Sequence, residues 1–160
     1  EHLTTPADGR IGDLLARSEG SPGALPTLCL SAVPRSRCTV TVLAYGYQAL
    51  LAAREITRLA LEEEIFAELV VPAQIAPMDW APVLESVAAT GALVTIEEGV
   101  AGWSWGTEAA AVVSRELFGR LRRPVEVVAS EPTVIPSARD KESAMLVGAR
   151  HIDAAVRAAT

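Results

Sequence analysis

The sequence predicts an α/β protein, a three-layer α/β/α domain built on a mostly parallel sheet of about five strands. Three observations lead there. Short runs rich in β-branched residues alternate with stretches whose apolar residues recur at helical spacing. The helical stretches run to ten residues or more, long enough for a crossover that returns the chain to a parallel neighbour, so both faces of the sheet are covered. The chain has 160 residues, half of them apolar. That suits one domain able to bury roughly 70% of its unfolded surface without a disulfide or a metal.

The elements follow in order. Residues 1–26 hold Pro6, Gly9, Gly12, Gly20, Pro22, Gly23 and Pro26 among polar residues, the punctuation of a linker with at most one short helix around Ile11 to Arg17. The body, residues 27–160, begins with a short strand at Thr27–Leu30 and a stronger one at Thr39–Ala44. Tyr45-Gly46 breaks it. Apolar residues at 49, 52, 53, 56, 59 and 60 make one face of a helix that Glu62, Glu63 and Glu64 close with solvated charge. Ala67–Val71 is the next strand. After Pro72 and Pro77, Asp79 is placed to cap a helix with the buried stripe Trp80, Val83, Leu84 and Val87, ended by Gly91. Ala92–Ile96 is a third clear strand. A Gly/Trp loop leads into a helix from about Thr107 to Phe118, and Pro124–Val128 is another strand. A loop through Pro132 and Pro136 wraps back to a final helix with the stripe Ile152, Ala155, Val156 and Ala159.

Composition excludes several classes. A positive mean hydropathy and 21% charged residues are too apolar for intrinsic disorder. Each apolar run is interrupted short of the roughly 20 residues of a membrane span, so a soluble chain is expected. A net charge of −6 opposes general nucleic-acid binding, which needs a basic face. There is no Asn, and Lys141, the single lysine, follows Asp140, so a phosphate loop ending in Gly-Lys-Ser/Thr cannot be built. Cys29 and Cys38 are too few for a zinc site and read as idle thiols of a reducing compartment, the cytoplasm. The start at Glu1-His2-Leu3 carries no leader and reads as a piece of something longer.

Few residues could carry chemistry. Glu97-Glu98-Gly99 lies at the carboxyl end of a parallel strand, where open α/β sheets place ligands and contacts. A glutamate there acts as acid or base only if burial or a partner tunes it. The alternative, which the absence of a nearby His favours, is that the pair caps the next helix or meets another subunit. Gly99, Gly102 and Gly106 interleave with Trp103 and Trp105 without the spacing of a dinucleotide fingerprint. Two of three tryptophans in one loop suit a protein contact, and burial beneath the domain's own helices is the open alternative. His2 and His151 lack neighbouring ligands at metal spacing, and no Ser sits in a nucleophile elbow.

The order of these pieces resembles a known family. Thr39–Gly46 (TVTVLAYG), the Ala-rich helix, Glu68-Leu69-Val70-Val71, Ile75-Ala76-Pro77-Met78-Asp79, Gly91–Gly99 (GALVTIEEG), Gly106-Thr107-Glu108 and Pro124-Val125 are similar to the C-terminal domain of the transketolase family. Among its branches the chain looks most like the β subunit of the thiamine-diphosphate-dependent 2-oxo acid dehydrogenase first component, of pyruvate or branched-chain type. The stretch Pro132–Pro136, with Glu142 and the closing helix, favours that branch. The likeness covers about residues 27–158. The sequence departs from the pattern at Val71 and Ala73, where Asp and Arg are common, and at Gly102-Trp103-Ser104-Trp105-Gly106, where Gly-Gly-Phe-Gly is usual.

The resemblance implies that residues 1–26 are the tail of a pyrimidine-binding domain and a linker. It also implies that the catalytic glutamate, thiamine diphosphate and Mg²⁺ belong to other domains of the parent. Asp8-Gly9 lacks the Gly-Asp-Gly…Asn pattern that holds the diphosphate, so this part is expected to bind no cofactor or metal and to catalyse nothing alone. Its implied work is association: with the pyrimidine domain, with an α subunit or α part, with a second β part, and with the lipoyl acyltransferase (E2). On this reading Trp103, Trp105, Glu98 and Glu108 lie at a subunit interface and Glu126 is a docking carboxylate. The alternatives are the same domain of another thiamine enzyme, of transketolase or deoxyxylulose-phosphate synthase type, or a free-standing α/β binding module.

Overall fold

The computed structural model describes residues 8–134 and 136–160. Glu1-His2-Leu3, including His2, lies outside them. Among the described residues the sheet has seven strands: β1 (Asp8–Ile11), β2 (Leu14–Glu19), β3 (Thr27–Ser31), β4 (Val40–Ala44), β5 (Ala67–Val71), β6 (Leu93–Val100) and β7 (Glu126–Ser130). Their spatial order is β1-β2-β3-β5-β4-β6-β7. The run β5-β4-β6-β7 is parallel throughout. β1, β2 and β3 add an antiparallel wing.

Among the described residues there are five helices, α1 (Gly46–Glu63), α2 (Ala81–Thr90), α3 (Trp105–Glu116), α4 (Arg139–Met145) and α5 (Ala149–Ala159), of which α1, α2, α3 and α5 pack on the sheet. β4 is buried at all five residues because it lies in the middle of the sheet. Its alternate side chains serve different layers. Val40, Val42 and Ala44 join Ile56 and Leu59 of α1 and Ile152 and Val156 of α5 in one core. Leu43 joins Val70, Val83, Val87, Ala109 and Val113 in the other, under α2 and α3. Each fully buried Leu, Ile or Val contributes about 1.5–3 kcal/mol by leaving water.

The lead-in departs most from the sequence reading. Where one short helix was the expectation, Ile11 to Arg17, the chain makes a β-hairpin, and the sheet gains two strands beyond the expected five. Gly12 sits at φ +59° in the two-residue turn Gly12-Asp13, a conformation that tight hairpins require and glycine adopts without strain. Leu14 and Ala16 then face the core, and tertiary burial of this alternating pair prevails over the weak helical spacing. α4 is the second departure, a short helix within the stretch read as loop. The strands expected at Thr27–Leu30, Thr39–Ala44, Ala67–Val71, Ala92–Ile96 and Pro124–Val128 are present within a few residues.

Buried polar groups join the wing to the body. The Glu68 carboxylate, 0% exposed on β5, accepts from Arg17 of β2, from Arg35 Nε at 2.6 Å and from Ser86 Oγ at 2.5 Å on α2. Arg35 also bridges to Glu19 at 2.8 Å. A buried carboxylate persists as an ion only with such partners. Nearby, Thr41 bonds Ser86 and Thr90 at 2.8 Å each, which satisfies the hydroxyls that β4 brings into the core.

Candidate functional site

The carboxyl ends of β4 and β6 gather most of the residues that the sequence singles out. Glu97 is 1% exposed. Its Oε1 accepts the Gly106 N–H at 2.7 Å and the Ser104 hydroxyl at 2.5 Å. Ser104 is the N-cap of α3, but its side chain accepts from none of the helix's first amides, so Glu97 supplies the cap from the neighbouring strand. Both bonds fall on Oε1. Glycine is required at 106 by space: a Cβ there would lie 2.5 Å from Glu97 Oε1 and 2.7 Å from Thr95 Oγ1.

Glu98 points the other way, into solvent, and accepts from Gln48 Nε2 at 3.4 Å. Gln48 is buried in the first turn of α1. Its Nε2 also bonds the Val147 carbonyl at 3.3 Å, and its Oε1 has no partner among the described residues. Glu108 is exposed in the first turn of α3. Trp103 is 94% exposed at the loop tip. Trp105 is half-buried, packs edge-to-face with Tyr45 at 5.0 Å between ring centroids, and holds a buried Nε1–H without an acceptor. Burial pushes the Tyr45 hydroxyl above its ordinary pKa, and the charges of Glu97 and Glu98 add to it.

The structure therefore brings Trp103, Trp105, Glu98 and Glu108 to one end of the sheet. Glu126 is not among them. It opens β7 opposite Val94, near the start of β6, at the amino end of the parallel strands. The sequence reading missed Tyr47, Leu50, Val100 and Leu146, which add exposed apolar surface around the same end. Tyr47 and Leu50 were findable, because they follow the strand whose carboxyl end is the expected contact region. Glu68 was findable too, as a lone charge inside the apolar run Ala67–Val71.

His151 Nδ1 accepts the Gly148 N–H at 3.0 Å and so caps α5. Among the described residues no group of three or more His, Cys, Asp or Glu side chains could hold a metal ion, and no helix is long and apolar enough to cross a membrane. Asp79 serves as expected at a helix start, accepting the Ala81 N–H at 3.2 Å. It also accepts from the Ser21 amide and hydroxyl, tying the exit of the hairpin to α2.

Comparison with known proteins agrees with this architecture. The family profile described as transketolase, C-terminal domain, matches residues 31–152. The pyruvate dehydrogenase E1 component subunit beta of Leifsonia xyli is 38% identical over 109 residues, 68% of this chain and 32% of the relative. The acetoin:2,6-dichlorophenolindophenol oxidoreductase subunit beta of Cupriavidus necator is 33% identical, covering 74% of this chain and 35% of its own. A solved structure titled as a split gene transketolase, inactive beta4 tetramer, superposes with a TM-score of 0.61 at 29% identity, covering 75% of this chain and 38% of that one. The chain thus spans about a third of the length of these curated relatives. On its profile match and its identity to these subunits, the chain belongs to the transketolase C-terminal domain family and resembles the β subunits of E1 components.

Proposed function

We propose that this domain is the non-catalytic, C-terminal part of a thiamine-diphosphate-dependent 2-oxo acid dehydrogenase first component, and that its carboxyl strand ends form an association surface. The observation that carries this reading is the concentration of Trp103, Tyr47, Leu50, Val100 and Leu146 in exposed positions around Glu98 and Glu108. Large exposed apolar side chains gathered at one end favour a protein contact over open solvent. The half-buried Trp105 with its free N–H and the unpartnered Gln48 oxygen fit a face completed by polar groups from elsewhere. The partners are the preceding pyrimidine-binding domain, the α subunit or α part, and a second β part. Glu126, at the opposite end, is the carboxylate proposed to dock the acyltransferase.

The residues at the strand ends do not fit a bound diphosphate. Glu97, Glu98 and Glu108 make that end acidic, and an anion would be repelled there rather than held. The cofactor and Mg²⁺ accordingly belong to other domains of the parent. That parent would decarboxylate a 2-oxo acid and acylate a lipoyl group in the cytoplasm. A second reading, the same domain in a transketolase-type enzyme, is favoured by the likeness to the split gene transketolase.

The parent polypeptide with any companion α subunit decides between them. Reduction of an artificial electron acceptor is followed across a panel of 2-oxo acids, with and without thiamine diphosphate and Mg²⁺. Cofactor-dependent turnover of one acid is the expected result. Turnover with ketose phosphates instead supports the transketolase reading. No turnover with either class overturns both.

A further inference from the structure

We propose that the turn between α3 and β7 docks an acidic protein segment that carries a large apolar side chain. The turn lies at the amino end of the parallel strands, the end that also carries Glu126, away from the tryptophan surface described above. Residues 115–123 hold four arginines and one glutamate, in a chain whose acidic groups outnumber its basic ones by six. Phe118 stands among them 90% exposed. Arg120 and Arg123 are exposed and make no ion pair among the described residues. Arg115 pairs with Glu116 at 3.0 Å, but both are open to water, so that pair is weak and readily exchanged.

The turn is built to hold its shape. The Arg122 amide donates to the Gly91 carbonyl at 2.8 Å, and its Nη2 donates to the carbonyls of Thr39 and Thr90 at 2.5 and 2.8 Å. Arg122 thereby clamps the turn to the start of β4 and the end of α2, and leaves Arg120 and Arg123 to solvent. Leu117, the preceding residue, is buried in the core under α2 and α3 and fixes the backbone from which Phe118 projects. A preorganised patch loses little entropy on binding. The chemistry selects the partner: guanidinium groups take carboxylates in bidentate pairs, and the exposed ring gains by covering apolar surface. The arginine charge at this corner attracts an acidic segment, while the net negative charge of the chain opposes the long contact that a nucleic acid would make.

The test uses the full chain and a short fluorescein-labelled peptide of Glu and Asp with a central Leu-Leu, read by anisotropy. The expected result is saturable binding that weakens with added salt. It falls about tenfold in the double variant R120E/R123E and severalfold in F118A. Both changes are at exposed side chains, and circular dichroism verifies that the fold is retained. A peptide with Lys in place of the acids should not bind, and one with Ser in place of Leu-Leu should bind more weakly. The proposal is overturned if the acidic peptide does not bind, if R120E/R123E binds as well as the parent, or if the Leu-free peptide binds equally. Tighter binding of a single-stranded RNA oligonucleotide would overturn it in favour of a nucleic-acid surface. The thiamine assay does not bear on these outcomes, so the two readings fail separately.

Discussion

At the scale of single residues, the site depends on a few side chains that hold backbone in place. Gly106 lets α3 approach β6 closely enough for its amide to reach Glu97. G106A brings a methyl group into contact with Glu97 and Thr95 and is expected to destabilise by about 1–3 kcal/mol, measured by urea denaturation. Glu68 is held by two arginines. R35A removes one of them from a carboxylate with no exposure and is expected to cost about 3 kcal/mol, in the range for breaking a buried pair. The cysteines make a chemical prediction. Burial pushes the Cys29 thiol up to about 12 and the Cys38 thiol up to about 11, so neither is a thiolate near neutrality. With Ellman's reagent at pH 8 the native chain should release almost no chromophore, and the chain in guanidinium should release two equivalents.

At the scale of elements, the β1–β2 hairpin is attached to the body by ionised groups, so acid should loosen it first. The bond from the Ser21 amide holds the Asp79 carboxyl below its ordinary pKa. Burial raises Glu19, but hydrogen bonds from Arg35 and Arg17 outweigh it and leave Glu19 below its ordinary value as well. Groups with depressed native values stabilise the fold above the unfolded values of about 4, and that stability is lost as pH falls through the native ones. Hydrogen exchange of the hairpin amides should accelerate below about pH 4 before α1 or β4 responds. D79N should remove part of that pH dependence; exchange equally steep in the variant would sink the assignment to Asp79.

At the scale of the whole molecule, charge and apolar surface are unevenly divided between the two ends of the sheet. The carboxyl end presents Trp103, Tyr47 and Glu98, and the amino end presents Phe118, Arg120 and Arg123. The first belongs to the proposed association surface. W103S in the parent is therefore expected to weaken assembly at least tenfold, seen as a shift to smaller species in sedimentation velocity, while leaving the melting temperature of this domain unchanged. An unaltered sedimentation profile would remove the Trp103 loop from the interface.

The sequence by itself determined the α/β class, the five body strands, four of the five helices and the strand-end position of Glu97 and the tryptophans. These follow from local periodicity, turn residues and the rule that parallel strands need helical crossovers. The hairpin was signalled only by Gly12-Asp13 between two short apolar segments. Its strand character comes from pairing with β3, beyond a loop through Gly20 and Pro26, which no local pattern records. The tertiary structure alone decided that Glu97 caps α3 while Glu98 faces solvent, since adjacent residues on a strand point to opposite sides and only packing selects which side is buried. It also decided that Glu126 lies at the other end of the sheet from the tryptophans, because strand direction becomes a position in space only when the strands are assembled.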